Sequence, residues 1–222
     1  MENQKEEKGL MFEYTKAAIR SAKEHDPAAR NAFEILLLYP GVHAIINHRI
    51  AHFFYTHKCF FIARMISQLS RFFTQIEIHP GAKIGKGLFI DHGSGVVIGE
   101  TTEIGDYCTI YQGVTLGGTG KDKGKRHPTL GNHVMVGSGA RVLGPFKVGD
   151  HARIAANAVV LHEVPEYSTC VGVPGRVVRV KGEKIVENQI PDPVAQELCR
   201  LHVRLDQLEK QLQERGVNNE SL

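Results

Sequence analysis

The hydrophobic rhythm of the chain changes once, near residue 76. Before that point apolar residues recur at intervals of three and four, the spacing of one helical face. Phe12, Ala18, Ile19 and Ala22 form a first stripe. Asp26-Pro27 reads as an N-cap followed by proline at the first helical position. That pair opens a helix through Phe33, Ile35, Leu36 and Leu37, which Pro40-Gly41 ends. Two more helical stretches are predicted, over roughly 42–56 and 59–74. From Ile78 aliphatic residues instead fall every sixth position. Ile78, Ile84 and Ile90 make one run. Ile98, Ile104, Ile110 and Leu116 make a second, two residues out of step, and Leu130, Val136, Val142, Val148, Ile154 and Val160 complete the series. Glycine often follows, as in Ile84-Gly85, Ile98-Gly99 and Val148-Gly149. A period of six is neither helical nor a continuous alternating strand; it fits short strands joined by corners on a solenoid.

Leu116 and Leu130 lie fourteen residues apart where six are due. The segment GGTGKDKGKRHPT therefore carries an eight-residue insertion that leaves the solenoid wall as a loop over 117–129. VPEYSTCVGVPGRVV closes the solenoid. From Val194, the residues Leu198, Leu201, Leu205, Leu208 and Leu212 then mark an amphipathic helix with a heptad seam, read as a short coiled coil between chains in preference to a helix folded back. The expected organisation is α+β: a helical domain over 1–75, a β-solenoid over 76–180, and a tail with a helix over 181–222.

Charge and composition narrow the function. Lys and Arg exceed Asp and Glu by 27 to 24, too little to imply a nucleic-acid or membrane partner. The apolar stretch Gly41 to Ile66 is interrupted by His43, His48, Arg49, His52, His57, Lys58 and Arg64, so it is no membrane span. MENQKEEKG has no apolar signal-peptide core, and a cytoplasmic location is expected. Cys59, Cys108, Cys170 and Cys199 form no C-x-x-C pair and read as small buried hydrophobes.

Three polar clusters interrupt the repeat: Glu77-Ile78-His79, Asp91-His92-Gly93-Ser94-Gly95 and Lys125-Arg126-His127-Pro128. LGGTGKD has the look of a phosphate loop but lacks the Ser or Thr after lysine that would bind magnesium. The stretches IEIHPGAKIGKGLFIDHGSGVVIGET and YQGVTLGGTGKDKGKRHP resemble the serine acetyltransferase family closely, across about Asp26 to Arg176. The resemblance implies a left-handed parallel β-helix, acetyl-CoA as co-substrate, L-serine as acceptor and no metal. It implies His92 as general base, with Glu77, where the family often has aspartate, as its orienting partner. Arg126 and His127 would hold the serine carboxylate, and Asp91 and Asp26 its ammonium group. CoA would lie along the groove between neighbouring β-helices, near Gly139, Ala156 and Arg176. A homotrimer is implied first and a hexamer second. The family also pairs with O-acetylserine sulfhydrylase, often through a terminal isoleucine; this sequence ends in Leu222, so that partner is not counted on. Competing readings are a hexapeptide acetyltransferase for another acceptor and a zinc-dependent carbonic anhydrase on the same scaffold. The second needs three histidines from two chains, and His127 and His133 lack a matching third.

Chemistry agrees with the implied roles. A serine hydroxyl attacks a thioester only if a neutral imidazole takes its proton. A free amino acid needs a fixed cation for its carboxylate and an anion for its amine, which sugar acceptors do not.

Overall fold

A computed structural model describes residues 2–120, 123–184, 200–202 and 204–205. Four helices come first: α1 (Glu2–His25), α2 (Ala32–Leu38), α3 (Pro40–Thr56) and α4 (Phe60–Thr74). Their boundaries differ from the sequence reading at one end. Asp26 caps no helix: its Oδ1 accepts from Ala28 N at 2.8 Å, closing a tight turn after α1. The cap of α2 is Asn31, whose Oδ1 accepts from Glu34 N at 2.9 Å. The signal for it was Asn31-x-x-Glu34, a capping-box spacing. Pro40 opens α3 at its first turn instead of closing α2.

Among the described residues sixteen strands follow. One face of the solenoid stacks β1 (Glu77–Ile78), β4 (Val97–Ile98), β7 (Thr115–Gly117), β10 (Arg141–Leu143) and β13 (Val159–Val160). The second stacks β2 (Lys83–Ile84), β5 (Glu103–Ile104), β8 (Thr129–Leu130) and β11 (Lys147–Val148). The third stacks β3 (Phe89–Asp91), β6 (Thr109–Tyr111), β9 (Met135–Val136), β12 (Arg153–Ile154) and β14 (Ser168–Val171), and ends in the antiparallel β15 (Arg176–Val180) and β16 (Glu183–Lys184). Every solenoid pairing is parallel, and each face carries one aliphatic ladder. Ile78, Ile98, Leu116, Val142 and Val160 line the first face; Ile84, Ile104, Leu130 and Val148 the second; Ile90, Ile110, Val136 and Ile154, continued by Cys170, the third. All are buried. Each such side chain contributes roughly 1.5–3 kcal/mol when removed from water, so the ladders fix the register.

The two-residue phase slip in the repeat has a definite location. Asp91 pairs with Tyr111 and Val97 with Thr115, so the first coil needs two more residues at this corner than the second. The extra length lies in the His92–Val96 corner, which Gln75 braces by accepting from Gly95 N at 3.0 Å and from Ser94 Oγ at 2.6 Å. The eight-residue insertion likewise leaves the wall between β7 and β8 without disturbing the pairing of Leu116 with Val142.

Helix packing carries the helices onto the solenoid. A methyl group at Gly41, at the start of α3, would lie 2.3 Å from the carbonyl oxygen of Ile90, so α3 meets β3 at backbone contact. In α4 the residues turned into the protein are small: Ala63, Ser67, Ser70 and Thr74 are buried, and Ser67 Oγ donates to Ile78 O at 2.7 Å. Its large apolar residues Phe61, Met65, Leu69, Phe72 and Phe73 face outward. No helix of the described residues is long and apolar enough to cross a membrane. Cys108 and Cys170 are buried as expected, and burial pushes their thiols up to about 12 and about 11. Cys59 is not: it stands exposed at the N-cap of α4, where the chain turns at the surface. The heptad helix and Cys199 lie outside the described residues, except that 200–202 and 204–205 are helical.

His48 on α3 is 2 % exposed, and neither ring nitrogen makes a well-formed hydrogen bond, the backbone of Ala82 and His79 offering only weak contacts. Burial, with Arg49 and then His52 adding to it, lowers its pKa to about 3. An unfolded chain takes up this proton below about pH 6.5. The folded chain does not, so stability falls as pH drops from 6.5 towards 3, by up to about 1.4 kcal/mol per unit. Urea unfolding across that range is expected to show a shallower acid loss for His48→Leu than for the parent; parallel curves would contradict the assignment.

Candidate active site

Two polar clusters occupy the two corners that flank the first face. Asp91 ends β3 and places His92 in the widened corner, in a left-handed backbone conformation with φ 57°. The ring is exposed, with Nδ1 3.8 Å from Asp91 Oδ1. The turn after α1 brings Asp26 to the same place. Tyr39, between α2 and α3, donates its hydroxyl proton to Asp26 Oδ2 at 2.5 Å. That bond, seconded by the Ala28 amide, holds the Asp26 carboxyl below the usual range and pushes Tyr39 up to about 12. His92 adds a weaker electrostatic pull on Asp26, and Asp91 acts on Tyr39, so the four residues share one field.

Glu77 does not join this cluster as the resemblance implied. Its two carboxylate oxygens are each 3.0 Å from an arginine of α4, Arg64 and Arg71. The carboxylate within ion-pair reach of His92 is Asp91. Glu77 is nevertheless close in backbone terms, since its amide donates to Val96 O at 2.9 Å. Two permanent cations on one helix outcompete a single exposed imidazole for its oxygens. The sequence held no sign of this, because Arg64 and Arg71 reach Glu77 only through the packing of α4.

The second cluster stands past β4. Arg126 donates through Nη2 to Glu100 Oε2, and Tyr55 of α3 donates to Glu100 Oε1 at 2.8 Å. Those two bonds hold the Glu100 carboxyl below its ordinary range. His127 is 8 % exposed, and burial lowers its pKa, with Arg126 adding to the effect. Its ring lies flat on the corner: a methyl group at Gly99 would sit 2.1 Å from Nε2. Gly99 is therefore glycine because of this ring as well as the turn. Lys125 donates to Thr101 O at 2.7 Å. Tyr55, Glu100, Thr101 and Tyr39 were missed by sequence reasoning. Glu100 and Thr101 stood inside a recognised motif, but nothing in their spacing named their partners.

Among the described residues, no hydrogen bond or ion pair joins the two clusters. The structure brings Asp26, Asp91 and His92 together, and Arg126 and His127 together, at opposite ends of β4. Gly139, with φ 68°, and Ala156 belong to lower turns on the His92 side, and Arg176 lies on β15 opposite Val171. At the remaining corner Tyr107, His133, His151 and Tyr167 stack in a column with ring centroids 5.5, 4.8 and 4.6 Å apart. Its lower end opens on a cavity of about 680 Å3 lined by Arg153, Arg179 and Lys181. Among the described residues, no group of three or more His, Cys, Asp and Glu could hold a metal ion.

Comparison with known proteins fits this arrangement to one family. Residues 127–162 match the family model described as bacterial transferase hexapeptide (six repeats). A serine acetyltransferase of Bacillus subtilis (strain 168) is 53% identical over 210 residues, which are 93% of this chain and 97% of that one. Among solved structures, a soybean serine acetyltransferase complexed with serine superposes with a TM-score of 0.74 at 42% identity, covering 76% of this chain and 69% of that chain. A Brucella abortus strain S19 serine acetyltransferase in complex with coenzyme A superposes with a TM-score of 0.73 at 41% identity, covering 74% of this chain and 66% of that chain. With two corner clusters of the required chemistry on a hexapeptide solenoid, and a relative this similar over nearly the full length of both chains, the chain belongs to the serine acetyltransferase family.

Proposed function

We propose that the chain transfers the acetyl group of acetyl-CoA to the hydroxyl of L-serine, giving O-acetyl-L-serine and CoA, at a site shared by two copies. This is the first step of cysteine biosynthesis and is assigned to the cytoplasm. The observation that carries the shared site is the separation of the base from the cation. His92 lies with Asp26 and Asp91 on one corner, and Arg126 with His127 on the next. The two corners lie at opposite ends of one side of the coil, roughly 15–20 Å of extended chain apart, whereas serine spans about 5 Å, so one copy supplies His92 and its neighbour Arg126. A cyclic homotrimer closes such head-to-tail contacts. The outward apolar face of α4 is then the surface through which two trimers would form a hexamer.

In this site the ammonium group of serine sits against Asp26 and Asp91, both acceptors only. Its carboxylate takes the free donors of Arg126, whose fork Glu100 holds in place. His92 accepts the hydroxyl proton as the serine oxygen bonds to the thioester carbon. The tetrahedral intermediate then expels the CoA sulfur, breaking the C–S bond, and the imidazolium returns the proton to that sulfur as the free thiol. Asp91 stabilises the imidazolium directly. Glu77, paired with Arg64 and Arg71, does so from further off, so its loss is the milder one. Gly139 and Ala156 border the pantetheine path. The cationic cavity by Tyr167 suits the CoA phosphates, and Arg176, opposite Val171 towards the other end of β15, is a second basic contact for the nucleotide.

Three outcomes are expected. His92→Ala lowers acetyl transfer to serine by about 10³-fold or more with folding intact, while Glu77→Ala keeps a weak residual rate. An undiminished His92→Ala enzyme would end this mechanism, and thiol release with a galactoside but not with serine would end the substrate assignment. Co-expressed His92→Ala and Arg126→Gln chains regain activity, in about a quarter of sites under random mixing, because a shared site then recovers both groups. No recovery would place the site within one chain. Arg179→Gln raises KM for acetyl-CoA by about tenfold at most and leaves KM for serine unchanged; equal shifts in both would remove the cavity from CoA binding.

A further inference from the structure

Thr101 is the most heavily bonded side chain of the second cluster, and its hydroxyl admits only one bonding pattern. Oγ1 accepts from Arg126 N at 3.0 Å and from His127 N at 3.1 Å. Two lone pairs are thereby used, so its third contact, 2.9 Å from His127 Nδ1, is one in which the hydroxyl donates. The backbone amide of Thr101 points to the same nitrogen at 3.2 Å, and an amide can only donate. Two independent donors converge on Nδ1, which must be bare, and the proton of the neutral ring is therefore on Nε2.

We infer that Thr101 is a positioning residue that holds His127 as a neutral Nε2–H donor to the carboxylate of the acceptor amino acid. The inference rests on the serine reading above. It divides the labour at the carboxylate between one permanent cation, Arg126, and one uncharged directional donor, His127. The groups that face His127 agree with a neutral ring. Arg126 and Lys125 on its own loop disfavour a second positive charge, and the carboxylate of Glu100, which favours one, is already bonded to Arg126 and Tyr55. His79, on the coil above, is itself held towards the neutral form by burial. Carboxylate binding through His127 is then less sensitive to acid than binding through an imidazole with its ordinary pKa, since burial and Arg126 disfavour uptake of a second proton.

Nitrogen-15 NMR of the histidine-labelled full-length protein, with His127→Gln used to assign the ring, tests the tautomer without any substrate. The expected spectrum at pH 7 is that of a neutral ring bare at Nδ1; a ring protonated on Nδ1, or charged, would overturn the inference. Kinetics test the positioning role. Thr101→Val should raise KM for serine about tenfold, the loss of one to two hydrogen bonds. KM for acetyl-CoA should be unchanged, KM for serine should become more pH-dependent below 7, and Thr101→Ser should restore the parent values. Equal KM for serine in the parent and Thr101→Val would sink the role. Should Thr101→Val fold poorly, the Thr101→Ser enzyme and the parent spectrum still decide: a Thr101→Ser enzyme with raised KM for serine contradicts a role that needs only the hydroxyl. A bare Nδ1 in an enzyme that acetylates some other acceptor would overturn the substrate reading alone. A protonated Nδ1 in an enzyme that acetylates serine would overturn this inference alone.

Discussion

Parallel pairing that stacks Ile98, Leu116, Val142 and Val160 one above the next leaves the solenoid little freedom over where its corners fall. A one-residue slip would turn each of these buried side chains outward, at about 1.5–3 kcal/mol apiece. Corners are therefore fixed points, and polar residues placed on them start from a defined position. The chemistry is concentrated where the period of six is broken. The two extra residues after Asp91 form the His92 corner, and the eight-residue insertion ends in Arg126 and His127.

The helices serve the same end from outside. Gly41 lets α3 touch β3 at Ile90, one residue before Asp91, while Tyr39 just ahead of it holds Asp26 in place. Tyr55, near the other end of α3, reaches Glu100 and through it Arg126. One helix thus braces both clusters, and disturbing it would be felt at both ends of the acceptor.

Periodic features were legible in the sequence because each residue carries the same information as its neighbours. The six-residue ladder, the phase slip, the inserted loop and the helices ending near Thr56 and Thr74 all followed from spacing. Single-residue features were less so. Asp26-Pro27 has the composition of a cap, yet Asn31 caps the helix because Asp26 is drawn to Ala28 and Tyr39. His92, Arg126 and His127 could be picked out from the family motif, but their partners could not. Glu77 is claimed by arginines thirteen and six residues earlier in the chain, and Glu100 by an arginine across the inserted loop. Such pairings are decided by tertiary packing.

In the proposed site a proton acceptor and a carboxylate receptor face each other across a boundary between copies. A crystal structure of the assembled protein with serine and CoA bound tests this most directly. The account predicts the serine hydroxyl within hydrogen-bond distance of His92 of one copy and the serine carboxylate on Arg126 of the next. Serine bound entirely by residues of one copy, or away from His92, would contradict it.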